Sequence, residues 1–328
     1  MPAPRSPLPF RSILCPVDFS AHSRQALRSA AAVAEQFGAH VTVLFVNDPF
    51  LLAAARAACR KPDAFADRSR KELTRFVMKS ARRLSPRRIR IIVTAGNPAD
   101  EILHEAKRQH SSLVVMGTHG LSGVRRLFFG STTAQVLHRS NVPVLAVPPK
   151  SAARGTTATR LIVDRVIAPI DLTGDWHSDA IRAAKISKAW KAKLLLVHIL
   201  QPIHAPAWLH APRGGNERRR MQKARRVLAR IASQLSSIIE TGWSVAIGDP
   251  AREIAKLTRH GSPMVVMSLR GAAGMWGRRG AMAYHVLAHA STPVLALPRR
   301  RIGGRLSVRL RRALNELLAR DRIEMAGY

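Results

Sequence analysis

Short, almost continuously apolar runs alternate along the chain with longer stretches in which apolar residues recur every three or four positions. In the first half the runs are Ile13–Val17, Val41–Val46, Ile89–Val93, Leu113–Met116 and Val144–Val147. Runs of this length without polar alternation are the pattern of strands covered by helices on both faces, which is how parallel sheets are built. Between the first two runs, Ala26, Ala30, Val33, Ala34 and Phe37 fall at i, i+4, i+7, i+8 and i+11, one face of a helix, and Gly38 follows as a stop. Leu73, Phe76, Val77 and Leu84 mark a second helix. Asn97 caps and Pro98 opens a third, with Ile102, Leu103 and Ala106 on its buried face. Strands and helices in regular alternation predict βαβ units, an α/β fold with a five-stranded parallel sheet.

The same pattern then recurs. Ile13-Leu14-Cys15-Pro16-Val17-Asp18-Phe19-Ser20 aligns with Val166-Ile167-Ala168-Pro169-Ile170-Asp171-Leu172-Thr173, 153 residues further on. Val41-Thr42-Val43-Leu44 aligns with Leu194-Leu195-Leu196-Val197, and Gly96-Asn97-Pro98-Ala99 with Gly248-Asp249-Pro250-Ala251. Leu113-Val114-Val115-Met116 and Val142-Pro143-Val144-Leu145 likewise return as Met264-Val265-Val266-Met267 and Thr292-Pro293-Val294-Leu295. Blocks returning in one order indicate two copies of one domain. The expected boundaries are 10–149 for the first and 160–298 for the second, joined by a linker of Ser, Ala, Thr and Arg from about Lys150 to Arg160. A basic tail, 299–328, has Leu306, Leu310, Leu314 and Leu317 at helical spacing. It is expected to form an amphipathic helix that packs on its own domain or touches lipid or acidic partners. The last strands, Val144–Val147 and Val294–Leu297, are apolar edges expected to pair with each other.

Composition narrows the class. A length of 328 residues suits two domains, and with 46% apolar residues, 23% charged and no apolar run long enough to span a bilayer the chain is expected to be soluble. The proline-rich start, Met1 to Phe10, lacks the apolar core of a secretory signal, and Cys15 and Cys59 have no metal-ligand or disulfide spacing, so a reducing cytoplasm is expected. Cys15, inside an apolar run, is expected to be a small buried hydrophobe. The net charge of +34 attracts polyanions, nucleic acid or anionic membrane, yet aromatic residues are only 5% and no nucleic-acid signature accompanies the charge.

In open parallel sheets ligands bind beyond the carboxyl ends of the strands, where chain order reverses. There the first strand delivers Asp18 and the fourth delivers Met116-Gly117-Thr118-His119-Gly120. Glycines let backbone N–H groups approach an anion closely, and Gly130-Ser131-Thr132 stands at a predicted helix start, where unbonded amides and the macrodipole favour phosphate. Asp18 taken alone serves equally well as a helix cap. His119 has no partner carboxylate or nucleophile in the motif, and Arg125 and Arg126 are secondary phosphate candidates. No catalytic set and no metal site is expected.

Gly117-x2-Gly120-x9-Gly130-Ser131 resembles the nucleotide-binding pattern of ATP-binding universal stress proteins, and the resemblance covers nearly all of both copies. It implies a tandem pair of doubly wound, Rossmann-like domains, each with strand order 3-2-1-4-5, and ATP as ligand, with Mg2+ as an optional companion. Carried over by position, Pro16, Asp18 and the backbone of Val41 would surround adenine and ribose. Met116, Gly117 and Gly120 would line the crevice, and Gly130, Ser131 and Thr132 would hold the phosphates. The second copy departs from the pattern: Gly117 becomes Ser268, Gly120 is kept as Gly271, and Gly130-Ser131 becomes Ala281-Met282. It is expected to be a structural partner with weakened or lost ATP binding, or a pocket repurposed for another ligand. The expected function is an ATP-binding cytoplasmic stress-response protein acting through nucleotide-dependent conformation or partners. The alternatives are a basic scaffold that binds polyanions beside a vestigial nucleotide site, and an adenine-nucleotide enzyme with weak ATP hydrolysis. Expected partners are ATP, the other repeat, a second copy of the chain in a homodimer, and polyanions or membrane surfaces. For an enzyme, Pro202–Arg220 is the one long insertion, and it is predicted to be a basic loop.

Overall fold

Strand residues face alternately into two cores, and that alternation explains why the runs are apolar throughout. The computed structural model describes residues 10–58, 63–118, 130–149, 160–172, 176–202, 215–269, 285–287 and 289–298. In the first repeat the strands are β1 (Ser12–Pro16), β2 (His40–Asn47), β3 (Ile89–Ala95), β4 (Leu113–Gly117) and β5 (Val144–Val147). Ile13 and Cys15 point into a core shared with α1 (Ala21–Phe37) and α3 (Asp63–Ser80), while Leu14 points into the opposite core with α4 (Pro98–Arg108) and α5 (Ser131–Arg139). A short helix not foreseen in the sequence, α2 (Pro49–Ala58), precedes α3.

Local chemistry sets the helix ends. Ser20 caps α1 by accepting from the Ser23 amide at 3.0 Å, and Gly38 ends it in the left-handed region at φ 69°, where a side chain is strained. Asn97 accepts from the Ala99 and Asp100 amides ahead of Pro98, and Asp249 does the same work ahead of Pro250 through the Arg252 amide. Leu84, assigned to the second helix from its spacing, lies past the end of α3 and is buried in a following turn.

The second repeat contains β6 (Arg165–Pro169), α6 (Trp176–Trp190), β7 (Lys193–Leu200), α7 (Gly215–Leu235), β8 (Thr241–Ile247), α8 (Pro250–Leu257), β9 (Pro263–Ser268) and β10 (Val294–Leu297). Residues 215–220, expected in a loop, form the first turns of α7, whose buried Ala224, Leu228, Ile231 and Leu235 supply the apolar stripe that holds it. All ten strands join one sheet in the order β3-β2-β1-β4-β5-β10-β9-β6-β7-β8. Pairing is parallel within each repeat, whereas β5 and β10 meet antiparallel with Leu145 opposite Leu295. Each last strand thus covers the other's edge. The described residues make one compact unit. The tail 299–328 and Cys59 lie outside the described residues.

Candidate functional site

β1 lies between β2 and β4, so the chain leaves the sheet in opposite directions on its two sides and a crevice opens beyond its carboxyl end. The β1–β4 register pairs Ile13 with Leu113 and Leu14 with Val114. Pairing stops there, and the two strands run on to end at Pro16, just before Asp18, and at Gly117, just before Thr118, on the two sides of the crevice. The Asp18 carboxylate accepts from the Ser20 amide at 3.0 Å, a turn that leads into the Ser20 cap. Asp18 is therefore not itself the helix cap. Between them Phe19 takes φ 64°, an uncommon conformation for a non-glycine residue, and its ring is held by Phe45 at 4.7 Å and Phe76 at 5.4 Å.

On the other side of the crevice β4 ends at Gly117, whose carbonyl accepts from Thr133 Oγ1 at 2.9 Å. The Gly130 amide donates to the Thr118 carbonyl at 2.9 Å, which ties the start of α5 to the end of β4. Gly130, Ser131 and Thr132 therefore stand at the mouth of the crevice. No side chain among the described residues caps α5; the first bond inside it is from the Ala134 amide to the Gly130 carbonyl. The amides of Ser131, Thr132 and Thr133 precede that bond, so the helix cannot satisfy them internally. Gly120, His119, Arg125 and Arg126 lie outside the described residues.

Two expectations change. Val41 is in register with Ile13 at the amino end of β2 and is fully buried, about 16 Å of strand away from Asp18. It is not brought to the crevice. The register Pro16–Leu44, carried two residues on, brings Val46, followed by Asn47, to the end of the sheet where Asp18 stands. Gly130 sits at φ −57°, ψ 131°, a conformation open to any residue, so its use is not backbone freedom. Pro16 ends β1, half-buried, and the Met116 side chain is buried in the α4/α5 core, leaving only its backbone near the crevice.

The corresponding place in the second repeat is occupied by its own side chains. Ser268, the counterpart of Gly117, donates from Oγ to Asp179 at 2.6 Å. Arg182 reaches Ser268 Oγ at 3.4 Å and donates to the Pro298 carbonyl at 2.9 Å. The first repeat has Ala26 and Ser29 where Asp179 and Arg182 stand. His198, the counterpart of Phe45, donates from Nδ1 to the Ile170 carbonyl at 2.8 Å. Gly271, Ala281 and Met282 lie outside the described residues. Cys15 is fully buried, and burial pushes its thiol far above the ordinary range, so it is inert packing. No helix among the described residues is long and apolar enough to cross a membrane.

Repeat and topology together define a tandem, doubly wound α/β protein. The chain belongs to the universal stress protein family, whose model matches residues 9–148 and 163–298. Universal stress protein MJ0531 of Methanocaldococcus jannaschii is 30% identical over 140 residues, which is 42% of this chain and 82% of its own length. YxiE of Bacillus subtilis is 29% identical over 146 residues, 42% of this chain and 99% of its own. Across both repeats, the crystal structure of a universal stress protein from Archaeoglobus fulgidus superposes with a TM-score of 0.56. It covers 88% of this chain and 97% of that one at 19% identity, so the shared property is the fold.

Proposed function

We propose that the first repeat binds ATP in the crevice between β1 and β4, and that the protein acts in the cytoplasm as a stress-response component whose conformation or choice of partner depends on the bound nucleotide. The observation that carries this reading is the start of α5. Three consecutive amides without an intrahelical acceptor converge beside Gly117, where the helix macrodipole adds to their attraction for phosphate. Ser131 and Thr132 add hydroxyl donors, and Gly117 allows the phosphates to approach the backbone. Asp18 would receive the ribose hydroxyls, and adenine would lie between Pro16 and the backbone of Val46 and Asn47. Among the described residues no group of three or more His, Cys, Asp or Glu could hold a metal ion, so Mg2+ would enter on the phosphates. The left-handed Phe19 beside Asp18 fits a functional loop, where backbone strain of roughly 1–3 kcal/mol is commonly stored.

Calorimetric titration of the intact chain with ATP tests the proposal. Ser131→Ala is expected to weaken binding roughly 10- to 100-fold through loss of one charge-assisted hydrogen bond, and Gly117→Val to abolish it, both with unchanged circular dichroism. Wild-type affinity in both variants overturns the assignment.

A further inference from the structure

Helix α7 (Gly215–Leu235) carries seven arginines and lysines against one glutamate, an imbalance that its counterpart α3, with five cations and three acids, does not share. Its apolar side, Ala224, Leu228, Ile231, Ala232 and Leu235, is buried in the protein's own core. Arg219, Lys223, Arg226 and Arg230 fall at i, i+4, i+7 and i+11 on the outward side, all exposed, a stripe about 16 Å long.

The strand that follows α7 and packs against the helix is β8, an outer strand of the sheet, with Trp243 40% exposed. Trp243 is in register with Leu196, and Leu196 is buried in the same cluster as Leu228 and Ile231. Paired residues of a parallel sheet share a face, so the indole stands on the α7 side of the sheet. The matching position in the first repeat is Ile91. The nearest acid on the strand's approach, Glu240, is paired with Lys193 at 2.7 Å.

We propose that the α7–β8 edge of the second repeat is a binding surface for single-stranded nucleic acid, with the α7 stripe neutralising phosphates and Trp243 stacking on a base. An exposed cationic helix side together with an exposed aromatic ring on the strand it packs against is the combination that single strands need, because unstacked bases offer a π-face to any sequence. An anionic membrane fits less well. An interfacial helix must insert its apolar side into lipid, and that side of α7 is committed to the core. This surface belongs to the second repeat and is independent of the crevice in the first, so either proposal can fail alone.

The test is fluorescence anisotropy of a labelled oligothymidylate of about 20 nucleotides with the full chain, over a range of salt concentrations. Log affinity is expected to fall linearly with log salt. Arg219→Gln combined with Arg226→Gln should reduce the slope by about 1.4, since each phosphate contact on a single strand contributes about 0.7. Trp243→Ala should weaken binding roughly 5- to 100-fold with the slope unchanged, and Trp243→Phe should recover most of the loss. Removing the same charge elsewhere, with Arg82→Gln and Arg83→Gln, should leave affinity and slope close to wild type. The proposal is overturned if the wild-type chain does not bind the oligonucleotide at low salt, or if it binds phosphatidylglycerol vesicles in preference. It is also overturned if the two arginine pairs lower affinity equally, or if Trp243→Ala binds like wild type.

Discussion

Phe37 and Trp190 occupy the same position in the two repeats, the last residues of α1 and α6, and they meet edge to face with ring centroids 4.8 Å apart. Phe10 closes the cluster against Trp190 at 5.5 Å. The residues that end the first helix of each repeat thus pack on each other, Trp190 buried and Phe37 partly so, and the two repeats share one core as well as one sheet. Truncation by Trp190→Ala is expected to cost about 3–5 kcal/mol. Trp190 Nε1 is buried without a hydrogen-bond partner among the described residues, so Trp190→Phe, which removes the donor and keeps a ring, should cost far less. Urea unfolding of the two variants checks this; equal losses would contradict it.

The antiparallel seam makes a second prediction. Leu145 and Leu295 lie opposite each other in the interior of a continuous sheet, so their amides should exchange with solvent as slowly as those of β1. Hydrogen exchange on the intact chain decides it. Exchange as fast as at the outer strands β3 and β8 would mean that the repeats do not pair there.

Cys15 predicts a dependence on pH. Burial raises its thiol pKa in the folded chain, while in the unfolded chain it titrates near 8.5. The unfolded state alone then loses the proton as pH rises past that value. The stability contributed by the buried thiol is complete below about 8.5 and declines above it, by up to about 1.4 kcal/mol per pH unit. Relative to Cys15→Ala, the wild type should lose roughly 2 kcal/mol between pH 8 and pH 10 in urea unfolding. Parallel pH profiles for the two proteins would refute the burial argument.

The polar net in the second repeat predicts that it cannot be reopened by one change. Ser268→Gly restores the glycine of the first repeat but leaves Asp179 and Arg182 in place, so no nucleotide binding should be gained there. The reciprocal Gly117→Ser should weaken ATP binding in the first repeat. Removing Asp179 takes away the acceptor of the Ser268 hydroxyl and should cost roughly 1–3 kcal/mol of stability. ATP titration and denaturant unfolding of the three variants read these effects; new binding in Ser268→Gly would show that the side chains do not close the site.

Much of this arrangement is legible in the sequence. Apolar runs located the strands because both faces of a parallel sheet are covered, and the recurring Pro-x-Asp and Gly-x-Pro blocks exposed the repeat. The last strands had to pair because an apolar edge is costly to leave open. Position along a strand was less legible: Val41 shares its strand with the crevice but stands at the wrong end, and only the register with Ile13 reveals that Val46 lies at the end where Asp18 stands. Asp179 and Arg182 look like ordinary helix charges until α6 is laid across the end of β9. The start of α7 was hidden because arginine-rich turns precede its apolar stripe.

Under the proposed function one crevice, in the first repeat, takes ATP, while Ser268, Asp179 and Arg182 bond to one another or to the backbone at its counterpart. Calorimetric stoichiometry on the intact chain, wild type and Gly117→Val, measures this asymmetry most directly. One ATP per wild-type chain and none for the variant are expected. Two ATP per chain, or one that survives Gly117→Val, would contradict it.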